Sequence, residues 1–248
     1  MEQPHIEIAR DSQDLAERMV QLFLSAAQDA VSSHGVFRTA LSGGRTPERF
    51  LERLANTPEA HSLPWGGVHL FWVDERYVPS DSQASNYRLV AETLVRRIDI
   101  PQANVHQIPT ESADMNAAAR AYERVMRKVF GLEEGGIPQF DLIVLGMGSD
   151  GHTASLFPDS PALRCVDRLA CVVRAGADLK FDRITLTKPV LLAARRLVVL
   201  VSGGEKARIL EDVLTGEPDE MRYPIHMLRP VMERVTWLVD REAAGLVA

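Results

Sequence analysis

The sequence predicts an α/β fold, a largely parallel sheet with helices on both faces, on three observations. Short apolar runs alternate with segments of helical periodicity. The helical segments run ten residues or more, the length a crossover between parallel strands requires. Two of the apolar runs end in a Ser-Gly-Gly turn that leads directly into a helix, at residues 42–44 and 202–204. In such sheets ligands gather at the carboxyl ends of the strands, so those turns are the places to look for function.

Taken in order, residues 15–31 place Leu15, Met19, Leu22, Phe23 and Ala26 at helical spacing and predict an amphipathic helix. Residues 36–41 form a short apolar strand. After its glycines, Thr46 and Pro47 stand where an N-cap and first helical residue belong, and Phe50, Leu51, Leu54 and Ala55 continue that helix. Residues 68–73 read as strand, 87–97 as helix, and 117–130 as helix with Ala118, Tyr122, Val125 and Val129 on one side. Strands follow at 140–145, 169–173, 184–186 and 197–201, then a helix at 205–214 and a last strand at 235–239. Residues 133–138 and 216–224 read as loops, and no repeat, low-complexity tract or linker divides the chain. A single α/β domain over residues 1–248 is the expectation.

Composition narrows the function. With 46% hydrophobic and 25% charged residues the chain is of globular type. A formal charge of −6 argues against a nucleic-acid partner, which needs a basic face. Cys165 and Cys171, the only two cysteines, lack the pairing of a zinc site or disulfide framework and read as buried thiols in a reducing compartment. Residues 1–11, with Glu2, Glu7 and Asp11, have no basic segment leading into an apolar run, and no apolar stretch approaches the length of a bilayer span. A cytoplasmic location without membrane association is expected.

Four segments carry chemistry-bearing residues. Ser42, Gly43, Gly44, Arg45 and Thr46 lie between a strand and a helix; the glycines admit close backbone approach and the helix N-terminus favours an anion, phosphate above all. The segment lacks the Gly-Lys-Ser/Thr of a nucleotide-triphosphate loop, and an ordinary strand-to-helix turn reads the same residues equally well. Asp74, Glu75 and Arg76 follow the strand at 68–73. Charges at the end of a buried strand are costly unless paired, and Asp74 and Arg76, two apart, share a face if the strand continues. They serve either as a structural ion pair or as a hydroxyl acceptor and an oxyanion donor. Ser85, Asn86, Tyr87 and Arg88 read first as a helix cap.

Residues 146–158 contain G-x-G-x-x-G, but Pro158 and Pro161 stop any long helix after it, which argues against a dinucleotide site. What remains is a glycine turn presenting Asp150 and His152. An imidazole takes a proton from water near neutral pH, with Asp150 either orienting it or shaping the turn; a lone structural histidine is the alternative reading. Lys206, in the first turn of a helix after the second Ser-Gly-Gly, runs against the usual acidic preference there, and either a bound anion accounts for it or it is an ordinary solvated lysine. Arg183, just before a strand, is a candidate of the same kind. No H-E-x-x-H or G-x-S-x-G motif occurs, so water activated by a base is favoured over a covalent serine ester.

Together SGGRTP at 42–47, VDERYVP at 73–79, SNYRL at 85–89, DLIVLGMGSDGHTASLFP at 141–158 and SGGEKA at 202–207 resemble the 6-phosphogluconolactonase family, in order and spacing, over nearly the whole chain. The related glucosamine-6-phosphate deaminases carry an acidic residue shortly after the corresponding His; residues 151–158 here have none, which favours the lactonase. The resemblance implies a Rossmann-like sheet and hydrolysis of 6-phosphoglucono-1,5-lactone without cofactor or metal, in the oxidative pentose phosphate pathway. It implies that His152 is the general base, that Ser42, Gly43, Gly44 and Thr46 hold the phosphate with charge from Lys206 and Arg183, and that Asp74 and Arg76 line the sugar end, Arg76 facing the developing oxyanion. Where the family commonly has Ser, this chain has Arg45. The partner expected is the small-molecule lactone and the state expected is a monomer; the rival readings are a deaminase or isomerase on the same fold and a sugar-phosphate-binding regulator without chemistry.

Overall fold

The computed structural model describes residues 4–176 and 179–247; Glu2, part of the N-terminal reading, lies outside them. The chain runs β1 (His5–Ala9), α1 (Ser12–His34), β2 (Phe37–Leu41), α2 (Arg45–Ala55), α3 (Pro58–His61), β3 (Val68–Trp72), β4 (Asp74–Arg76), α4 (Asn86–Thr93), β5 (Val105–His106) and α5 (Met115–Phe130). It continues with β6 (Leu142–Gly146), β7 (Ala170–Val173), β8 (Arg183–Leu186), α6 (Lys188–Ala193), β9 (Leu197–Val201), α7 (Ala207–Thr215) and β10 (Val235–Asp240). Among these residues no helix is long and apolar enough to cross a membrane.

Seven strands form one sheet in the order β1-β10-β9-β6-β2-β3-β5, every pairing parallel. From β2 the chain winds outward through β3 to β5, then returns to the other side of β2 and winds through β6, β9 and β10. The winding therefore reverses between β2 and β6. Two adjacent residues of β2 show that both faces are covered. Phe37 meets Phe23 of α1 at 5.3 Å, and Phe23 in turn meets Phe50 of α2. The next residue, Arg38, lies against Phe130 of α5. Successive strand residues point to opposite faces, so α1 and α2 cover one side and α5 the other. Central strands buried on both faces read as unbroken apolar runs, and β9, Leu-Val-Val-Leu-Val, is buried throughout.

The predicted helices and strands are present with shifted ends. α1 extends from Ser12, capped by Asp11 accepting from the Gln13 and Asp14 N–H groups, to a left-handed Gly35. The segments at 87–97 and 205–214 each divide: α4 passes into a 3-10 turn at Val95–Arg97, and α7 is preceded by one at Gly204–Lys206. Thr46 is not the N-cap of α2, because the helix begins two residues earlier than expected, at Arg45, and Gly44 occupies the cap position with no side chain to contribute. Pattern reading did not find β1, β4 or β5. β1 is a half-exposed edge strand, β5 is two residues long, and β4 is highly charged. Nor did it find that β4, β8 and β7 form a second, antiparallel sheet of their own. Of the two thiols, Cys171 is buried as expected and Cys165 is half-buried.

One contact at the end of β3 bears on the site. β5 pairs only with Leu70 and Phe71, so the outward backbone groups of Trp72 have no strand partner. The hydroxyl of fully buried Tyr122 replaces it, accepting from the Trp72 N–H at 2.9 Å and donating to the Trp72 carbonyl at 2.8 Å. Tyr122→Phe leaves both groups unsatisfied in the core and is expected to lower stability by about 1–3 kcal/mol in denaturant unfolding; a change of a few tenths would show that the ladder end has another partner.

Candidate active site

The carboxyl ends of β3, β2, β6 and β9 lie side by side, and a cleft of about 240 Å³ opens above them at the point where the winding reverses. Ser42, Gly43, Gly44, Arg45, Thr46, Asp74, Arg76, His152, Arg183 and Lys206 all line it. Asp150 stands behind His152. Sequence reasoning gave Asn86 second place as a functional residue, and it lines the cleft too.

The loop after β2 is held to β6 by the Ser42 N–H donating to the Val144 carbonyl at 3.1 Å. Gly44 then takes φ 106°, a backbone region that favours glycine, and the chain turns into α2. Because no side chain caps α2, its first-turn amide groups stay free of side-chain partners at the cleft wall. Ser42 Oγ is buried and unpartnered beside them.

The strand alternation the sequence suggested at 74–76 does persist, but β4 has left the main sheet to pair antiparallel with β8. Asp74 and Arg76 share the cleft face with Thr185 and Arg183, the residues directly opposite them. The ion pair is not Asp74 with Arg76. Asp74, 4% exposed, accepts from Ser155 Oγ at 2.5 Å and lies 3.7 Å from Arg183 Nη1, while Arg76 Nη1 donates to the Ala84 carbonyl. Arg76 and Arg183 thus stand opposite one another, and the Nε of each is buried without a partner. Burial pushes the Arg183 guanidinium down from its ordinary value; Asp74 opposes this and Arg76 adds to it. Two like charges facing across a ladder are unfavourable unless an anion lies between them.

Glu75, which the sequence did not single out, points to the opposite face of β4 and is 2% exposed. One carboxylate oxygen accepts from the Arg76 and Asn86 N–H groups at 2.8 and 2.7 Å. The other accepts from the Tyr87 N–H at 2.7 Å and Ser85 Oγ at 3.1 Å. Ser85 is the helix cap expected of it, its Oγ accepting from the Arg88 N–H. Asn86 Nδ2 donates to the Asp74 carbonyl at 2.9 Å, and its Oδ1 is buried and unpartnered, so close to Gly43 that any Cβ there would overlap it.

After β6 the chain enters a loop, and among the described residues no α-helix follows until α6, which is not the arrangement of a dinucleotide site. His152 Nδ1 lies 2.6 Å from Asp150 Oδ1, and the His152 backbone N–H donates to the same oxygen at 3.1 Å. Partial burial pushes the Asp150 carboxyl up, but the His152 ring N–H, its charge and its backbone N–H outweigh that and hold it low. An ionised Asp150 accepts a hydrogen bond from Nδ1–H, which assigns the tautomer and leaves Nε2 as the free acceptor. The ring packs on Phe157 at 4.4 Å, and Phe157 also carries the Arg183 guanidinium at 5.2 Å. Ala154, on the cleft wall, has φ 53°, a left-handed conformation that costs a non-glycine residue about 1–2 kcal/mol and is typical of functional loops.

The loop after β9 is set by buried Asp240, which accepts from Ser202 Oγ at 2.5 Å and from the Gly203 N–H. Lys206 follows at the head of α7. Burial pushes its pKa down; Glu205 and Asp150 raise it and Arg45 lowers it, which places both loops' cations in one field.

Four cations converging on one small cleft suit an anionic guest, and an imidazole held by a carboxylate stands beside them. Fold and site together define a cationic small-molecule cleft at the switch point of a doubly wound sheet. The family described as glucosamine-6-phosphate isomerases/6-phosphogluconolactonase matches residues 10–237, and the chain belongs to it. A 6-phosphogluconolactonase of Synechocystis sp. is 39% identical over 240 residues, 97% of each chain, and one of Mycobacterium leprae is 32% identical over 246 residues, 98% of each. Among solved structures, the 6-phosphogluconolactonase of Trypanosoma brucei superposes with a TM-score of 0.88 at 29% identity, over 99% of each chain. A monomeric glucosamine-6-phosphate deaminase, 20% identical with a TM-score of 0.81 over 98% of this chain and 99% of its own, shares the fold.

Gly148 lies under the His152 ring: a Cβ there would overlap both His152 Nδ1 and the Asp150 carboxylate. Gly148→Ala is therefore expected to displace the ring and reduce catalysed turnover by about 100-fold, with the far-ultraviolet circular dichroism of the parent; full turnover would mean that the observed pairing of His152 with Asp150 is dispensable.

Proposed function

We propose that the chain hydrolyses 6-phospho-D-glucono-1,5-lactone to 6-phospho-D-gluconate, the lactone step of the oxidative pentose phosphate pathway, with His152 as general base. The observation that carries this reading is the 2.6 Å contact of His152 Nδ1 with Asp150, which leaves Nε2 free at a cleft lined by cations. Family membership and full-length relatives named 6-phosphogluconolactonase supply the substrate. Residues 151–158 hold no carboxylate, which argues against the deaminase alternative.

Ser42, Gly43, Gly44 and Thr46 hold the 6-phosphate at the head of α2, with charge from Lys206, Arg183 and, at the mouth, Arg45. Asp74 and Arg76 line the sugar end. Nε2 of His152 takes a proton from water as its oxygen attacks C1, and Arg76 stabilises the oxyanion that forms. When the tetrahedral intermediate collapses, the C1–ring oxygen bond breaks and the protonated imidazole returns its proton to the departing oxygen. A δ-lactone is already a reactive ester, so a base worth about 10²–10⁴-fold together with positioning suffices. The remote phosphate contributes binding energy that holds C1 beside the base. We place the chain in the cytoplasm as a monomer acting as a single domain over residues 1–248.

The test is hydrolysis of 6-phosphogluconolactone coupled to 6-phosphogluconate dehydrogenase and corrected for spontaneous ring opening. His152→Ala is expected to lower kcat by about 10²–10⁴-fold while 6-phosphogluconate still binds. Lys206→Ala is expected mainly to raise KM. Equal losses in both parameters for both variants would refute this division of roles, and a parent enzyme without acceleration would refute the activity. Light scattering on the eluting protein is expected to give the mass of one 27.5 kDa chain.

A further inference from the structure

Neither the family resemblance nor the proposed chemistry uses Glu75, yet it is the most completely engaged side chain next to the cleft. We propose that Glu75 is a positioning residue: one buried carboxylate ties β4 to the first turn of α4, and so holds Arg76 and Asn86 in the cleft without touching the substrate. The inference rests on the proposed activity only for one of its two readouts.

Strand alternation puts Asp74 and Arg76 on the cleft face and Glu75 behind them, so Glu75 reaches the ligand only through its neighbours. Its four bonds divide between the two elements. The Arg76 N–H belongs to β4; Ser85 Oγ and the Asn86 and Tyr87 N–H groups belong to the start of α4. Between them runs a mostly half-exposed or exposed loop, residues 77–84, which has no helix or strand to set the spacing. Ser85 caps α4 only at the Arg88 N–H and leaves the Asn86 and Tyr87 N–H groups to Glu75, so the cap is completed from another element. What the carboxylate adds is the placement of α4 relative to β4.

That placement leaves little room for error. Asn86 is 1% exposed, its Nδ2 is bonded to the Asp74 carbonyl, and its Oδ1 occupies the space that a Cβ on Gly43 would need. A shift of α4 toward the cleft drives Asn86 into the glycine loop, and a shift away loosens the backbone that carries Arg76. All four partners of Glu75 are donors, an arrangement that suits an ionised carboxylate and no other common side chain. Burial pushes its pKa up to about 7; the three N–H donors oppose this, and Asp74 on the same strand adds to it. Arg76 on β4, Arg183 on β8, Tyr122 on α5 and Tyr87 on α4 are further titratable residues around it. Glutamine keeps the shape but turns an NH₂ group toward two donors.

The experiment is a double-mutant cycle on the full chain. Glu75→Gln is expected to lower kcat/KM for the lactone by about 10- to 100-fold, the loss that a small misplacement of cleft groups produces. In a background carrying Arg76→Ala and Asn86→Ala the same substitution is expected to cost no more than about twofold, because the residues it acts through are already gone. An equal loss in both backgrounds, or a folded Glu75→Gln protein within twofold of the parent, would overturn the proposal. If Glu75→Gln does not fold, Ser85→Ala, which removes a single donor, enters the same cycle against Asn86→Ala, and additive losses would be the contrary result. Affinity for 6-phosphogluconate, measured by calorimetry, is the second readout. If the parent does not hydrolyse the lactone the activity reading fails alone, and the cycle is decided on affinity, with the same pattern expected.

Discussion

The central constraint of this molecule is the parallel hydrogen-bond ladder through β3, β2, β6 and β9. Parallel pairing puts all carboxyl ends at one edge of the sheet and fixes their relative heights. The ladder continues one residue past the strands, through the Val73 N–H to the Leu41 carbonyl and the Ser42 N–H to the Val144 carbonyl. Those bonds set where the loops begin. Four loops starting level and side by side, two on each side of the winding reversal, leave a crevice between them that no crossover helix covers.

Above the ladder, the loops are held by buried carboxylates. Asp240 ties down the second Ser-Gly-Gly turn, Asp74 holds Ser155 and Arg183, and Glu75 gathers the head of α4. In each case the partners are hydrogen-bond donors, which lowers the cost of burying a charge. The arrangement also has an electrostatic consequence. The chain as a whole carries −6, yet Asp74, Asp150 and Asp240 spend lone pairs on hydroxyls, backbone amides, Arg183 and His152, while Arg45, Arg76, Arg183 and Lys206 line the cleft against Asp74 and Glu205. Local placement outweighs net charge in deciding what this protein attracts.

The site is correspondingly rich in polar atoms without partners. Ser42 Oγ, Asn86 Oδ1 and the Nε atoms of Arg76 and Arg183 are buried and unsatisfied within one small region. Groups left this way carry a desolvation cost that a ligand rich in hydroxyl and phosphate oxygens recovers on binding, whereas an apolar ligand does not. The strained φ of Ala154 beside His152 belongs to the same pattern of local cost at a working site.

Periodicity made the main sheet and its helices legible, because a long amphipathic stripe or a fully apolar run such as Leu197–Val201 has few alternative structures. Glycine placement and the Asp150–Gly151–His152 turn made most of the cleft legible, because the residue types that bind anions and move protons there are few. The sequence by itself thus determined the alternation of strands and helices, the loops that carry chemistry and the family to which the chain is similar. Tertiary structure alone decided that β4 leaves the main sheet for β8, that Asp74 pairs with Arg183 instead of Arg76, and that Glu75 lies behind the cleft bonded to the head of α4. The physical reason is separation along the chain: β4 and β8 are more than a hundred residues apart, and a carboxylate's partner is chosen by the register of two strands that no local pattern encodes.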